Sequence, residues 1–179
     1  MSNISEAVRA FNVAKSNLEF ARATKTQKRV IIAKDVIAAI RASWLTPKTG
    51  TYLEIEGDPE AVVDVTKGTD ITECNACALG SVFVCAARRD QTIELDGDND
   101  GQSEMRYKLA PYFDEDQLSL IETAFESEDY VGEPEYRKDL DKEDKHDRAT
   151  LLGAKYEDAD RRLIAIMKNV IANNGTFKP

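Results

Sequence analysis

The chain contains one histidine and three cysteines in 179 residues, and these small numbers exclude several kinds of site. A structural zinc site needs four ligands, and Cys74-x-x-Cys77 has no second cysteine pair to complete it. His146 has no serine or cysteine partner arranged for nucleophilic catalysis, so a solvated histidine is the better interpretation. No glycine-rich loop that could hold a phosphate is present, because Gly68 and Gly80 each stand alone. The sequence therefore predicts no catalytic residue.

Positive charge and long apolar runs are also scarce. The 24 Lys and Arg residues face 33 Asp and Glu residues, for a formal net charge of -9. This balance disfavours direct nucleic-acid binding, which needs a basic face, but leaves cation binding or mimicry of DNA open. No apolar run reaches membrane-spanning length, and the first residues, Met-Ser-Asn-Ile-Ser, lack a signal-peptide pattern. We therefore predict a cytoplasmic protein with no membrane partner.

The longest stretch without charge lies at the middle of the chain and ends at Arg88 and Arg89. It is apolar on nearly every side, which is typical of a buried central element. We predict a helix that Thr72 could cap, although residues 81–85 could instead form a buried strand. The cysteines are interpreted as small core residues, with a redox pair at Cys74 and Cys77 as the alternative.

Other patterns predict helices around this centre. Thr24 with Gln27, and Asp114 with Gln117, are typical of capping boxes. Apolar stripes of helical period run through residues 4–22, 30–44, 118–125 and 156–170. Asn-Asn-Gly at 173–175 is a helix stop signal.

Three short segments favour strands. Residues 51–56 and 61–66 could pair as a hairpin, and residues 91–95 alternate in the same way. Residues 127–150 are dense in mixed charge, which is typical of a solvated helix or a mobile loop. The sum is one α+β domain over 1–179, predominantly helical, with five to seven helices and a small β-hairpin or short antiparallel sheet.

The loop Asp96-Gly-Asp-Asn-Asp-Gly101 reproduces the first half of an EF-hand calcium loop. Asp96, Asp98 and Asp100 would supply carboxylates, and Glu104 would stand at position nine. Position twelve is Tyr107 instead of the bidentate glutamate. The loop therefore predicts a calcium site only if another carboxylate completes the ligand set, and the alternative is a polar turn.

Five basic residues lie near predicted helix ends and are candidates for binding an anion such as a nucleotide. Solvated helix ends are the alternative interpretation. The candidates are Lys25, Lys28, Arg29, Arg88 and Arg89.

Cys74-x-x-Cys-Ala-Leu-Gly-Ser-Val-Phe83, with the blocks at 29–37, 50–52, 112–126 and 162–171, resembles small uncharacterised proteins of tailed bacteriophages. The resemblance covers most of the chain. It implies a viral protein that acts in the cytoplasm of a bacterial host, and it transfers no catalytic residue.

On this basis the expected function is that of a non-catalytic phage accessory protein. It would bind and neutralise a host factor, either a host-defence protein or its nucleotide signal. The alternatives are a calcium-binding structural or adaptor protein that uses the loop at 96–101, and an acidic mimic of DNA. An enzyme is not favoured, and the oligomeric state is left open.

Overall fold

The computed structural model describes residues 2–56, 73–90, 93, 102–132, 135 and 138–179. Within these ranges it has seven α-helices, one 3₁₀ helix and three short strands, so the predicted α+β, predominantly helical class is confirmed. The elements in chain order are α1 Ser2–Arg22, α2 Lys25–Arg41, β1 Leu45–Pro47, β2 Leu53–Glu56, β3 Glu73–Ala76, α3 Ala78–Arg89, α4 Gln102–Leu109, α5 Glu115–Phe125, the 3₁₀ helix Ser127–Tyr130, α6 Lys145–Gly153 and α7 Ala159–Ala172.

The three strands form a mixed sheet in the order β1-β3-β2. β3 pairs in parallel with β1, with Leu45 opposite Cys74, and antiparallel with β2, with Ile55 opposite Cys74. The predicted strand at 51–56 is thus present as β2. Its predicted partner at 61–66 and the predicted strand at 91–95 lie outside the described residues, apart from Ile93.

Helix α3 is the buried centre of the fold, as the uncharged stretch predicts. All residues from Ala78 to Ala87 are buried. The predicted start at Thr72 was wrong, because residues 73–76 pair as β3 and Cys77 is the N-cap, its Sγ accepting from the amide of Gly80 at 3.5 Å. A Cβ at Gly80 would lie 1.9 Å from the carbonyl oxygen of Tyr52, so only glycine allows this close approach.

Capping interactions set where α2 and α5 begin. Thr24 and Gln27 form the predicted capping box, in which each side chain accepts from the other residue's amide. At α5, Asp114 accepts from the amide of Gln117 at 3.0 Å. The Gln117 side chain does not complete a capping box but binds the backbone of Phe177. It accepts from the Phe177 amide at 2.5 Å and donates to the Phe177 carbonyl at 3.3 Å. This residue therefore attaches the C-terminal tail to the core.

The apolar stripe of α7 packs as its spacing predicts, with Leu163, Ile166, Met167 and Val170 buried. The apolar stripe predicted for α1 does not pack against the core. Phe11 is 68% exposed and Leu18 is 50% exposed, whereas Phe20, outside the stripe, is 1% exposed. Sequence periodicity identifies an apolar face but not the side of the helix that the core occupies.

The last helix carries a buried arginine. Asp158 caps α7, and Arg162 is 1% exposed. The guanidinium donates to the carbonyls of Phe125 at 2.7 Å, Tyr156 at 3.0 Å and Glu157 at 3.3 Å. Arg162 thus connects α7 to the end of α5. Among the described helices, none is long and apolar enough to cross a membrane.

Candidate binding cleft

A cleft of about 670 Å³ lies where α1, the second half of α2 and the end of α3 meet. We call it the α1–α3 cleft. Its walls are mostly apolar and small, with Val13 on α1, Ala38 and Ala39 on α2, the C-cap residue Ala42, and Trp44 at one side. Its polar groups are Asn12, Ser16 and Asn17 from α1, Asp35 from α2, and Cys85, Arg88 and Arg89 from α3.

Arg89 is already engaged within the cleft. Its Nε and Nη2 donate to the two carboxylate oxygens of Asp35 at 2.5 and 2.6 Å, and its Nη1 donates to Ser16 Oγ. The bond to Asp35 raises the pKa of the Arg89 guanidinium. Because Ser16 is on α1 and Asp35 is on α2, Arg89 holds three helices together at the cleft.

Arg88 is in the opposite situation. Its guanidinium lies over the Trp44 ring, 4.3 Å from the centroid, which fits a cation–π contact. Its Nη1 is buried, and no described residue accepts a hydrogen bond from it. Burial lowers the pKa of Arg88, with Cys85 and Asp35 acting in the opposite direction. A charged donor at the wall of a cleft is therefore left with bonding capacity.

The charge of the cleft differs in sign from that of the whole chain. Its ionised groups are Arg88, Arg89 and Asp35, which leave one net positive charge. The chain carries -9. An anion would therefore meet a net attraction in the cleft, although the chain as a whole is acidic.

The other three predicted anion-binding residues lie at the opposite end of α2. Lys25 Nζ donates to the carbonyl of Ala110 at 3.3 Å, and Lys28 lies 5.2 Å from the ring centroid of Phe20. Arg29 donates to the carbonyls of Tyr112 at 2.6 Å and Gly175 at 3.3 Å, and it pairs with Asp114 at 3.3 Å. The structure therefore separates the five predicted anion-binding residues into two groups. In the group at the beginning of α2, Arg29 connects α2 to the backbone of other parts of the chain.

The calcium prediction falls mostly outside the described residues, since Asp96, Asp98 and Asp100 belong to the range that the structure leaves out. Glu104 lies in α4 and pairs with Lys108 at 3.7 Å. No group of three metal-ligating side chains occurs among the residues the structure does describe. The calcium site stays a prediction.

The three cysteines are unpaired and buried, at most 2% exposed. Burial raises the pKa of Cys74 to about 12 and that of Cys77 to about 11. It also raises the pKa of Cys85. Protonated, inaccessible thiols favour the structural interpretation over a redox pair.

Sequence reasoning missed Trp44 and the polar residues of α1 as parts of a site. The apolar stripe predicted at 30–44 includes Trp44, but α2 ends at Arg41. The Trp44 ring lies beyond the end of the helix, against the Arg88 guanidinium. The sequence signals that could have pointed to the site are the single tryptophan and the adjacent pair Arg88 and Arg89 at the end of the uncharged stretch.

Comparison with known proteins adds no further assignment: no family model, no curated protein and no solved structure matches this chain.

Proposed function

We propose that this protein is a non-catalytic binding protein that holds a small anionic ligand with a ring, of the nucleotide class, in the α1–α3 cleft. The observation that carries the proposal is Arg88 Nη1, a buried charged donor without an acceptor among the described residues, at the wall of a cleft.

Energetics supports an anion at this position. A buried donor left without a partner costs about 1–3 kcal/mol, and more when it is charged. A phosphate or carboxylate oxygen would satisfy Nη1 and form a charge-assisted hydrogen bond. It would also counter the burial that lowers the pKa of Arg88.

The remaining walls suit the apolar and hydrogen-bonding parts of such a ligand. The volume of about 670 Å³ falls within the usual range for small-molecule sites. The alanines at the end of α2 and the Trp44 side chain offer apolar contacts for a ring, while Asn12 and Asn17 can donate to and accept from polar groups.

The cleft's titratable groups support binding without chemistry. Asp35 has both carboxylate oxygens bound to Arg89, and the raised pKa of Cys85 keeps its thiol protonated. In a phage protein acting in a bacterial cytoplasm, such a site would neutralise a host nucleotide signal by sequestering it. That role rests on the resemblance given above and stays a prediction.

Titration followed by tryptophan emission tests the proposal directly, because the one tryptophan lies in the cleft. We expect AMP, cyclic nucleotides or ADP-ribose to change the emission saturably, with inorganic phosphate binding at least tenfold more weakly. If none of these ligands changes the emission or gives heat in calorimetry at millimolar concentration, the proposal is wrong.

A variant pair identifies the residue responsible. Arg88→Met should abolish binding, whereas Arg161→Met, a change at an exposed arginine of α7, should leave it unchanged. The bound ligand should be recovered with unaltered mass. A converted product would show an enzyme instead.

A further inference from the structure

The outward side of α1 is an apolar face with no partner among the described residues. Phe11 is 68% exposed and Leu18 is 50% exposed, and the alanines between and after them are exposed too. The side chains that turn inward are Val13, Ser16, Asn17 and Phe20. We call Phe11, Ala14, Leu18 and Ala21 the α1 face; Val8, 54% exposed, lies beside it at the rim of the cleft.

This face follows a heptad. A bulky residue and an alanine each recur every seven positions, which is the spacing of a seam between two packed helices. Sequence extends the pattern by one further repeat toward the N-terminus. The bulky positions are Ile4, Phe11 and Leu18, and the alanine positions are Ala7, Ala14 and Ala21.

The pattern is complementary to itself when two copies run antiparallel. Phe11 then lies opposite Ala14 of the partner subunit, and by sequence position residue 18 falls opposite residue 7 of the partner subunit. By sequence, each layer combines one large residue with one alanine, which is the pattern of knobs-into-holes packing between helices. A two-fold interface requires this reciprocity, since residue i must face j while j faces i.

The area available on α1 limits how large such an interface can be. A helix of 21 residues is about 31 Å long at 1.5 Å per residue. Two such strips, each about 15 Å wide at the accessible surface, would bury on the order of 900 Å² in total, somewhat below the usual range of about 1,200–2,000 Å². A pairing of this size is expected to be reversible and micromolar.

Charge favours α1 as the place where two copies meet. Residues 1–41 hold eight basic and three acidic residues, a net charge of +5, so the remaining residues carry -14. α1 itself has three basic and two acidic residues. Because α1 is nearly neutral, two copies that meet there avoid bringing the acidic parts of the chain together, which would be unfavourable.

We propose that the α1 face is a self-association surface through which two copies of this chain pair antiparallel into a reversible dimer. A lipid surface or a different protein are the competing occupants. The heptad favours a second copy because its large and small residues match under a two-fold axis.

Sedimentation velocity of the full chain from 2 to 400 μM tests the dimer. We expect the weight-average mass to rise from one chain toward two, and Phe11→Glu to shift the midpoint at least tenfold to higher concentration. Tyr107→Glu, the same kind of change at a tyrosine of α4 that is 78% exposed, should not shift it. A wild-type mass of one chain at 400 μM overturns the proposal, as does a dimer that Phe11→Glu leaves intact.

Spin labels test the antiparallel direction. Because the native thiols are buried, Lys15→Cys and Arg22→Cys can be labelled selectively. With 1.5 Å per residue, the axial separation should be about 8 Å for the first pair and about 28 Å for the second. Short separations for both would indicate parallel packing and contradict the proposal. Binding of anionic vesicles by a protein that stays monomeric would assign the face to a membrane.

Discussion

Basic side chains lie at both ends of α2, and the two ends use them differently. At the N-terminal end, Arg29 donates to two backbone carbonyls and pairs with Asp114. Near the C-terminal end, the Arg88 guanidinium from α3 lies over the Trp44 ring. Its Nη1 is buried, and no described group accepts a hydrogen bond from it. An arginine has five donors in a fixed fork. A guanidinium whose donors are bound by backbone carbonyls is part of the fold, whereas one with an unbound donor at the wall of a cleft is a candidate for ligand binding.

Arg162 resembles Arg29 but lies in the interior, where every described hydrogen bond of its guanidinium goes to a backbone carbonyl. The comparison therefore predicts two different effects of replacing an arginine. Replacing Arg162 or Arg29, whose donors are bound, should lower the free energy of unfolding. Replacing Arg88, which has an unbound donor, should lower ligand affinity.

The largest effect is expected for Arg162→Met. The substitution keeps much of the buried volume but leaves the carbonyls of Phe125, Tyr156 and Glu157 without these donors. The Phe125 carbonyl would be left unsatisfied in the core at a cost of about 1–3 kcal/mol, and the half-buried hydrogen bonds to Tyr156 and Glu157 would also be lost, so the free energy of unfolding should fall by about 3 kcal/mol or more. Urea denaturation measures it, with Arg161→Met as the exposed control, expected to change stability by less than about 0.5 kcal/mol. A loss below 1 kcal/mol in the buried variant would contradict the junction role.

A smaller loss is expected for Arg29→Met, since this side chain is 12% exposed and water can replace part of what it donates. We expect about 2 kcal/mol, because hydrogen bonds from charged groups contribute about 1.5–3 kcal/mol each and exposure discounts them. Thermal and urea unfolding should agree. Nucleotide affinity measured by tryptophan emission should remain as in the wild type, and a loss of binding without a loss of stability would move the site to this end of α2.

How far the sequence predicts this arrangement depends on the range of the interactions. The capping box at Thr24 and the buried stripe of α7 are local, and both were predictable. The difference between Arg29 and Arg88 was not, because the acceptor carbonyl of Gly175 lies 146 residues from Arg29 along the chain. Strand β3, Glu-Cys-Asn-Ala, was missed for a related reason: its residues have little strand preference, and pairing with β1 and β2 determines its conformation.

The buried thiol at the beginning of α3 makes the free energy of unfolding depend on pH. Burial raises the pKa of Cys77 from an ordinary value of 9.0 to about 11. Below pH 9 the thiol is protonated in both states; above it the unfolded thiol ionises first, so stability falls as pH rises toward 11. We expect a loss of about 1 kcal/mol per such thiol at pH 10 relative to pH 8. Cys77→Ala should lose less over the same interval, and equal slopes for the two proteins would contradict the assignment.

The smallest effect on stability is expected for Arg88→Met, and this result completes the comparison. The substitution removes a buried charge that has no described hydrogen-bond acceptor at Nη1, so the lost contact with Trp44 is offset by the desolvation that no longer occurs. Ligand-free unfolding should stay within about 0.5 kcal/mol of the wild type, while nucleotide affinity falls beyond detection. A loss of 2 kcal/mol or more would place Arg88 with Arg29 and Arg162 among the structural junctions. The cleft would then lack the free donor on which the proposed function rests.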